Sequence, residues 1–348
     1  MEILQYLLEN GGCSIKYRIK REIMHEDKNS QEMVSLQNEI LKRRKVQQLF
    51  AKQHEDGWIG NELHGGVGQG LDSSISFLLN SGVEKDCQAL HKVVESLLTL
   101  KSDKPYRTTF KGGDALDSGG RGGNNAIKAG ILADLGEEIN PLVQQEIDIS
   151  LTYLKESLSY DSIDDFSVLN KKGVRYYKPD AQFPGSNHIN LLSATQCWRN
   201  AENYELVQTA LEHCMEIMKY NDHNIMFKAG SHFVGPFNFN WNFVDFSMDN
   251  LERDSYAFVW WLRILYKLST IGIIRNTEAL RRPYDYLYEL VVIQDIIQQQ
   301  SDLSLKRFKD ILSIEENWKN SSSMLCDINF YCIMILHNAG YDIHGIEI

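Results

Sequence analysis

The stretch QQLFAKQHEDGWIG, residues 47–60, decides the fold class, because an apolar helical end runs into glycine and then tryptophan. Glycine ends helices readily, since it adopts the left-handed backbone conformation without steric cost. The indole of Trp58 can then pack back on its own helix, and Gln53 can hydrogen-bond an exposed backbone group. The stretch therefore predicts a tight corner between helical hairpins.

Outward from this corner, apolar residues recur at the spacing of one helix face, as at Val93 and Leu97, and few segments alternate as strands do. The chain is therefore predicted to be mostly helical. The expected helices are 2–9, 15–24, 31–53, 71–81, 86–100, 124–136, 141–158, 188–200, 203–219, 253–270, 276–299, 304–313 and 323–339.

The helices form an imperfect repeat in which a first helix ends in glycine, at Gly82, Gly136 and Gly340, next to a short polar link. Two-helix units of roughly 45 to 60 residues cannot bury their apolar faces alone, so they stack into an open solenoid or a closed ring. Glycine-rich corners favour the ring. The prediction is an all-α fold, an α/α toroid, with one domain over 1–348 and residues 1–45 as an N-terminal helical extension packing on the ring.

Composition bounds the function classes. The 348 residues carry a net charge of -11, which opposes binding to nucleic-acid phosphates. No apolar run approaches the ~20 residues of a membrane span, and the first residues do not read as a signal peptide. The six cysteines form no CxxC pair, which is typical of reduced core thiols. We expect a cytoplasmic protein without metal or cofactor; its oligomeric state is not predicted.

Several segments carry a family resemblance. Residues 13–23 (CSIKYRIKREI), the 53–60 corner and the hairpin 72–100 resemble the opening of bacterial proteins related to squalene cyclases and protein prenyltransferase beta subunits. Residues 183–188 (FPGSNH) and 195–199 (TQCWR) resemble a later segment of the same group. The resemblance implies an α/α toroid whose inner helices line a central cavity.

The catalytic motifs of that group are absent. Squalene-type cyclases share an Asp-x-Asp-Asp run, and the nearest match here, DSIDD at 161–165, has the wrong spacing. It could chelate magnesium or be a solvated loop. The Asp, Cys and His that hold zinc in a prenyltransferase occur only singly, as with Cys214 and Cys326, which fit small core residues.

The glycine-rich run KGGDALDSGGRGGNN, residues 111–125, is the most chemically suggestive segment. Its glycines free backbone N–H groups to converge on an anion at a helix N-terminus, and Arg121 could add charge. Asp114 and Asp117 would repel an anion. The alternative is a long structural corner capped by one of its two asparagines.

Other candidates lie in the loop 58–68 and in the aromatic-rich stretch 227–261. Aromatic rings there could contact an isoprenoid or a sugar, or could be core. Two more are His188 and His232, each expected in a loop beside glycine and aromatic residues. His188 could be a general base or a structural histidine, and Arg253 could form a helix pair with Asp249. The candidate catalytic residues are Asp245, Asp117 and His232, and the candidate ligand-binding residues are Trp58, His64, Asp114, Arg121, His188, Trp241 and Arg253.

Three function classes follow. The first, implied by the resemblance, is a protein that binds or transforms an isoprenoid-like or other apolar small molecule in a central cavity. The second is a carbohydrate-active toroid with aromatic platforms and carboxylates such as Asp56, Asp117, Asp180 or Asp245. The third is a non-catalytic scaffold. We further expect the 112–125 loop and the 233–254 segment to meet at one end of the ring.

Overall fold

The structure is a computed structural model that describes residues 2–99, 104–218, 225–229, 232–234, 255–272, 281, 284–285, 287–289, 314 and 321–344. Within these residues the chain is mostly helical, as predicted. The first half contains α1 (Ile3–Asn10), α2 (Cys13–Arg18), α3 (Gln31–Lys42), α4 (Arg44–Phe50), β1 (Glu62–Val67), α5 (Leu71–Asn80), α6 (Gln88–Leu98), α7 (Gly113–Ser118), α8 (Asn124–Asp134) and α9 (Pro141–Ser157). The rest contains α10 (Ile163–Phe166), β2 (Ser167–Leu169), β3 (Arg175–Tyr177), α11 (Ser186–Ala194), α12 (Ala201–Met218), β4 (Ile225–Ala229), β5 (His232–Val234), α13 (Ser255–Ile271) and α14 (Ser321–Asn338).

The predicted glycine-ended helices are confirmed by one recurring backbone motif. Gly82, Gly136 and Gly340 all have positive φ, of 85°, 96° and 75°. After each glycine the next N–H donates to the carbonyl five residues earlier, as Val83 does to Leu78 at 3.0 Å. This is the Schellman arrangement, which satisfies the last carbonyls of a helix.

The corner at 47–60 is confirmed in part: Gln53 bonds a backbone group as expected, but the helix ends well before the glycine that was expected to stop it. Helix α4 ends at Phe50, and Gln53 Nε2 donates to the Ala89 carbonyl at 2.7 Å. Gly57 has φ of 91°, and a Cβ there would lie 2.0 Å from the Lys92 carbonyl oxygen. Only glycine fits this position without moving the backbone.

Some predicted boundaries are wrong. The helix expected over 31–53 breaks at Arg43, whose ψ of 138° is extended and whose guanidinium reaches the Ser14 hydroxyl and the Ile314 carbonyl. The helix expected over 15–24 winds into a π-helical turn at Ile19–Ile23. The one expected over 188–200 ends at Ala194, and the loop expected over 111–125 contains α7.

The strands were not predicted. Four form a sheet in the order β2-β3-β4-β5, in which β2 and β3 are antiparallel, β3 and β4 parallel, and β4 and β5 antiparallel. Three strands of this sheet, β2, β3 and β5, have three residues each, and β4 has five. Strands this short do not show a readable alternation of apolar and polar residues in the sequence.

The chain divides into two compact units. The first comprises Met1–Gln53, Ser74–His91 and Phe246–Ile348, and its α13 packs on α14, a helix buried nearly all round. The second comprises His54–Ser73 and Lys92–Asp245, and in it α8, α9, α11 and α12 pack on one another. Closure of the helical hairpins into a single ring stays a prediction.

Candidate functional site

The site is built around the N-terminus of α8, within the second unit. Both carboxylate oxygens of Asp117 accept the Asn125 N–H, at 3.1 and 3.0 Å. The buried side chain of Asn124 accepts the Phe110 N–H at 2.9 Å and donates to Asp114 at 2.8 Å. The chain's own carboxylate therefore takes the place predicted for an anion at this helix, and Asp117 rather than an asparagine bonds the first-turn amide.

The glycines of residues 119–123 serve close packing. A Cβ on Gly123 would lie 2.0 Å from the Gly113 carbonyl oxygen, and one on Gly120, whose φ is 65°, would lie 2.5 Å from the Tyr153 hydroxyl. The Tyr153 hydroxyl donates to the Gly119 carbonyl. The loop is thus pressed against α9, which leaves no room for side chains at these positions.

Arg121 points inward from this loop and is 4% exposed. Its Nη2 donates to the carbonyls of Ala181 at 2.6 Å and Lys178 at 3.3 Å. Its Nε and Nη1 are buried and have no hydrogen-bond partner among the described residues. The guanidinium lies 4.3 Å from the ring centroid of Tyr177 and 4.9 Å from that of Phe227. Among the residues that the structure describes, no carboxylate forms an ion pair with it.

A second buried arginine in the same chain shows how unusual this is. Arg18, in the first unit, is paired with both carboxylate oxygens of Glu22 at 2.5 and 2.9 Å, and it donates to the Tyr266 hydroxyl at 3.0 Å. Nearby carboxylates normally offset the cost of burying a guanidinium. Burial lowers the pKa of Arg121, and only neighbouring tyrosines oppose that effect. Arg121 still carries its charge at neutral pH.

His188 lies beside this arginine with both ring nitrogens engaged. Its Nδ1 accepts the Gly185 N–H at 2.9 Å, so Nε2 carries the proton and donates to the Gly120 carbonyl at 3.1 Å. The ring stacks on Tyr153 with centroids 4.9 Å apart. Burial lowers the pKa of His188 to about 4, which keeps it neutral. In this arrangement it holds the glycine loop in place rather than acting as a base.

Glu146 is the functional candidate that the sequence reasoning missed. It lies on α9, is 5% exposed, and its carboxyl has no hydrogen bond from the described part of the chain. Burial first, and the nearby charge of Asp117 second, raise the pKa of Glu146 to about 7. Burial also raises the pKa of Asp117. Two neighbouring carboxyls whose pKa values are both raised are typical of functional sites.

A sequence signal for Glu146 did exist. Glu146, Ser150, Tyr153 and Ser157 follow one another at intervals of four, three and four, so they share one face of α9. All four are buried. Burial raises the pKa of the Tyr153 phenol, while the charge of Arg121 lowers it and that of Glu146 raises it.

Trp58 and His64 lie in a neighbouring cluster of the same unit. Trp58 is buried under the Arg107 guanidinium, which lies 5.4 Å from the indole ring, and no residue that the structure describes bonds the indole nitrogen. His64 Nδ1 is 2.6 Å from Asp72 Oδ2, and that carboxylate raises the pKa of His64. The Phe110 ring lies edge-on to His64 at 5.8 Å, while its N–H bonds Asn124. Phe110 therefore touches both clusters.

The structure places Asp114, Asp117 and Arg121 in one glycine loop and brings His188 against that loop, a contact that the sequence did not predict. Asp245, Trp241 and Arg253 lie outside the described residues, and so does most of the 233–254 segment that was expected to meet the glycine loop. His232 is described only as backbone in β5, without its side chain.

One groove among the described residues lies apart from this site. An open groove of about 500 Å³ runs along the start of α12 and is lined by residues 199–201, 204–205 and 208–209, none of them a predicted site residue. Within the described part of the chain, no three metal-ligating side chains converge. In that same part, no helix combines the length and apolarity needed to cross a bilayer.

Comparison of the chain with known protein families, curated proteins and solved structures gives no match. The resemblance to squalene cyclases and prenyltransferase beta subunits accordingly stays a prediction, and function has to be argued from the site itself.

Proposed function

We propose that this protein binds a small organic anion, a phosphate or carboxylate group carried on an apolar, isoprenoid-like body, and that its helical hairpins form an α/α toroid around that ligand. The observation that supports the proposal is Arg121. A nine-tenths buried guanidinium is costly when the described residues give two of its nitrogens no acceptor and its charge no counter-ion, and an anionic ligand would supply both.

The surroundings of Arg121 fit such a ligand. The ring faces of Tyr177 and Phe227 carry partial negative charge, which holds the cation in the absence of a ligand. The same apolar rings exclude water, so the attraction between Arg121 and a bound anion is weakly screened. The loop 119–123 is fixed by Tyr153 and His188, which preorganises the guanidinium.

The test compares Arg121→Met with a control variant, Arg175→Met. The control removes an arginine of the same unit whose ion-pair partner, Asp164, is exposed. Thermal unfolding is followed with inorganic phosphate, pyrophosphate and farnesyl diphosphate as probes. A probe at a hundred times its Kd stabilises the folded state by about 2.7 kcal/mol, which amounts to several degrees in Tm. We expect this shift in the wild type and in Arg175→Met but not in Arg121→Met.

The same variants separate binding from folding. Replacing a buried charge that lacks a partner with an apolar side chain of similar length raises stability, on the order of 1–3 kcal/mol. Arg121→Met should therefore be more stable than the wild type without any probe. Equal probe shifts in Arg121→Met and wild type, or no shift from any of the three probes, would contradict the proposal.

A second function, carbohydrate chemistry, is favoured by one observation, the pair of Asp117 and Glu146. Glycoside hydrolysis uses two carboxyls, one of them protonated near neutral pH, and the pKa of Glu146 suits that acid. Its test is hydrolysis of a panel of aryl glycosides by the wild type and by Glu146→Gln. Hydrolysis of a glycoside by the wild type but not by Glu146→Gln would favour this function over the first.

A further inference from the structure

A hairpin in the second unit has a rigid tip. Strands β2 and β3 are joined by residues 170–174, and the side chain of Asn170 accepts the N–H groups of Lys172 and Val174, both at 2.9 Å. The Asn170 N–H donates to the Val174 carbonyl at 2.9 Å, and Gly173 has φ of 76°. The turn is thus fixed by its own hydrogen bonds and presents a preorganised surface.

Two aliphatic side chains stand in solvent beside this turn. Val168 is 48% exposed and Leu169 is 59% exposed. Successive strand residues point to opposite faces, so both faces of β2 near the turn are uncovered. β2 is also the edge strand of its sheet. An edge with apolar side chains on both faces is unfavourable in water unless something else covers it.

The charge of the hairpin is opposite to that of the chain. Residues 167–179 contain Lys171, Lys172, Arg175 and Lys178 and no acidic residue, whereas the chain carries a net charge of -11. Arg175 is paired with Asp164 at 2.6 Å. Both lysines of the turn are exposed. The tip thus combines aliphatic side chains with unshared positive charge.

We propose that this hairpin tip, residues 168–172, docks on an anionic lipid surface. Lysines bind the negative headgroups, and an aliphatic pair at the same tip inserts into the boundary between headgroups and acyl chains. A nucleic acid would match the lysines but not Val168 and Leu169. A partner strand would match the edge but not the lysines, and three residues offer it few hydrogen bonds. The proposal goes beyond ligand binding at Arg121 and does not depend on it.

The experiment is co-sedimentation of the full chain with two kinds of vesicle. One contains phosphatidylcholine alone, and the other also contains about 30 mol% phosphatidylserine, which gives it roughly the negative surface charge of a cell membrane. We expect binding only to the mixed vesicles and its loss at high salt, because the lysine contribution is screened. Removing one lysine by Lys171→Gln or Lys172→Gln should weaken partitioning about five-fold, the equivalent of about 1 kcal/mol. Val168→Asn with Leu169→Asn should weaken it further.

The chain offers matched controls in the same unit. Ile139 is 87% exposed, and Lys155 is exposed on α9, so Ile139→Asn and Lys155→Gln remove the same side-chain types away from the hairpin. These controls should bind as the wild type does. Circular dichroism checks that every variant is folded, and size-exclusion chromatography checks for self-association. Equal binding by the hairpin and control variants, no binding by the wild type, or dimers lost in the hairpin variants would each overturn the proposal.

Discussion

Replacing Glu146 with glutamine tests the energetics of the buried acid pair. The carboxyl of Glu146 has an ordinary pKa of 4.5 and a pKa of about 7 in the folded protein. Between these values the folded chain holds a proton that the unfolded chain has released. The free energy of unfolding therefore falls as pH rises across this window.

The magnitude follows from the same pKa difference. A pKa difference of one between the folded and unfolded states corresponds to about 1.4 kcal/mol. Ionised Glu146 therefore destabilises the fold by up to about 3 kcal/mol above pH 7. Glutamine has nearly the same shape and does not titrate. Glu146→Gln should match the wild type near pH 5 and exceed its stability by roughly 2–3 kcal/mol at pH 8.

Urea unfolding followed by circular dichroism at pH 5, 6, 7 and 8 measures this difference, with the m-value showing that the exposed surface is unchanged. Glu156→Gln, on the exposed side of the same helix, is the control and should leave the pH dependence as it is. Asp117 titrates in the same direction, so a smaller slope remains in Glu146→Gln. A slope equal to that of the wild type, or a loss of stability at pH 8, would refute the reasoning.

Three further predictions concern the neighbouring cluster. Gly57→Ala should destabilise the protein by about 3 kcal/mol or more in urea unfolding, because its Cβ would overlap a backbone carbonyl at a φ of 91°. Arg107→Met should cost on the order of 2 kcal/mol in the same assay, because it leaves the carboxylate of Asp56, now 2.8 Å from the guanidinium, without its cation. Asp72→Asn should lower the pKa of His64 in an NMR titration, since the carboxylate that raises it is gone, and an unchanged pKa would contradict the assigned pair.

The buried arginines show why the site could be foreseen only in part. The loop 111–125 was singled out from its glycines and charges alone, and the structure does gather Asp114, Asp117 and Arg121 there. Glu22 follows Arg18 by four residues, so that ion pair is a local one that the sequence can indicate. Only the fold shows that Arg121 is buried without a counter-ion among the described residues.

Sequence by itself determined that the chain is mostly helical and where three of its helices end in glycine. Helical periodicity and the glycines at 82, 136 and 340 act through contacts within five residues, so a local pattern carries the information. The short strands and the break at Arg43 depend on partners far along the chain, such as Ile225 for Arg175 in the sheet and Ile314 for Arg43.

Tertiary structure alone decided the chemistry of the site. The neutral form of His188, the raised pKa of Glu146 and the lack of a counter-ion for Arg121 among the described residues all result from burial and from neighbours distant in sequence. Asp117 also takes the helix terminus that the glycines seemed to offer to a ligand. A residue's type fixes which charges it can carry, but desolvation and long-range contacts decide which of them it does carry.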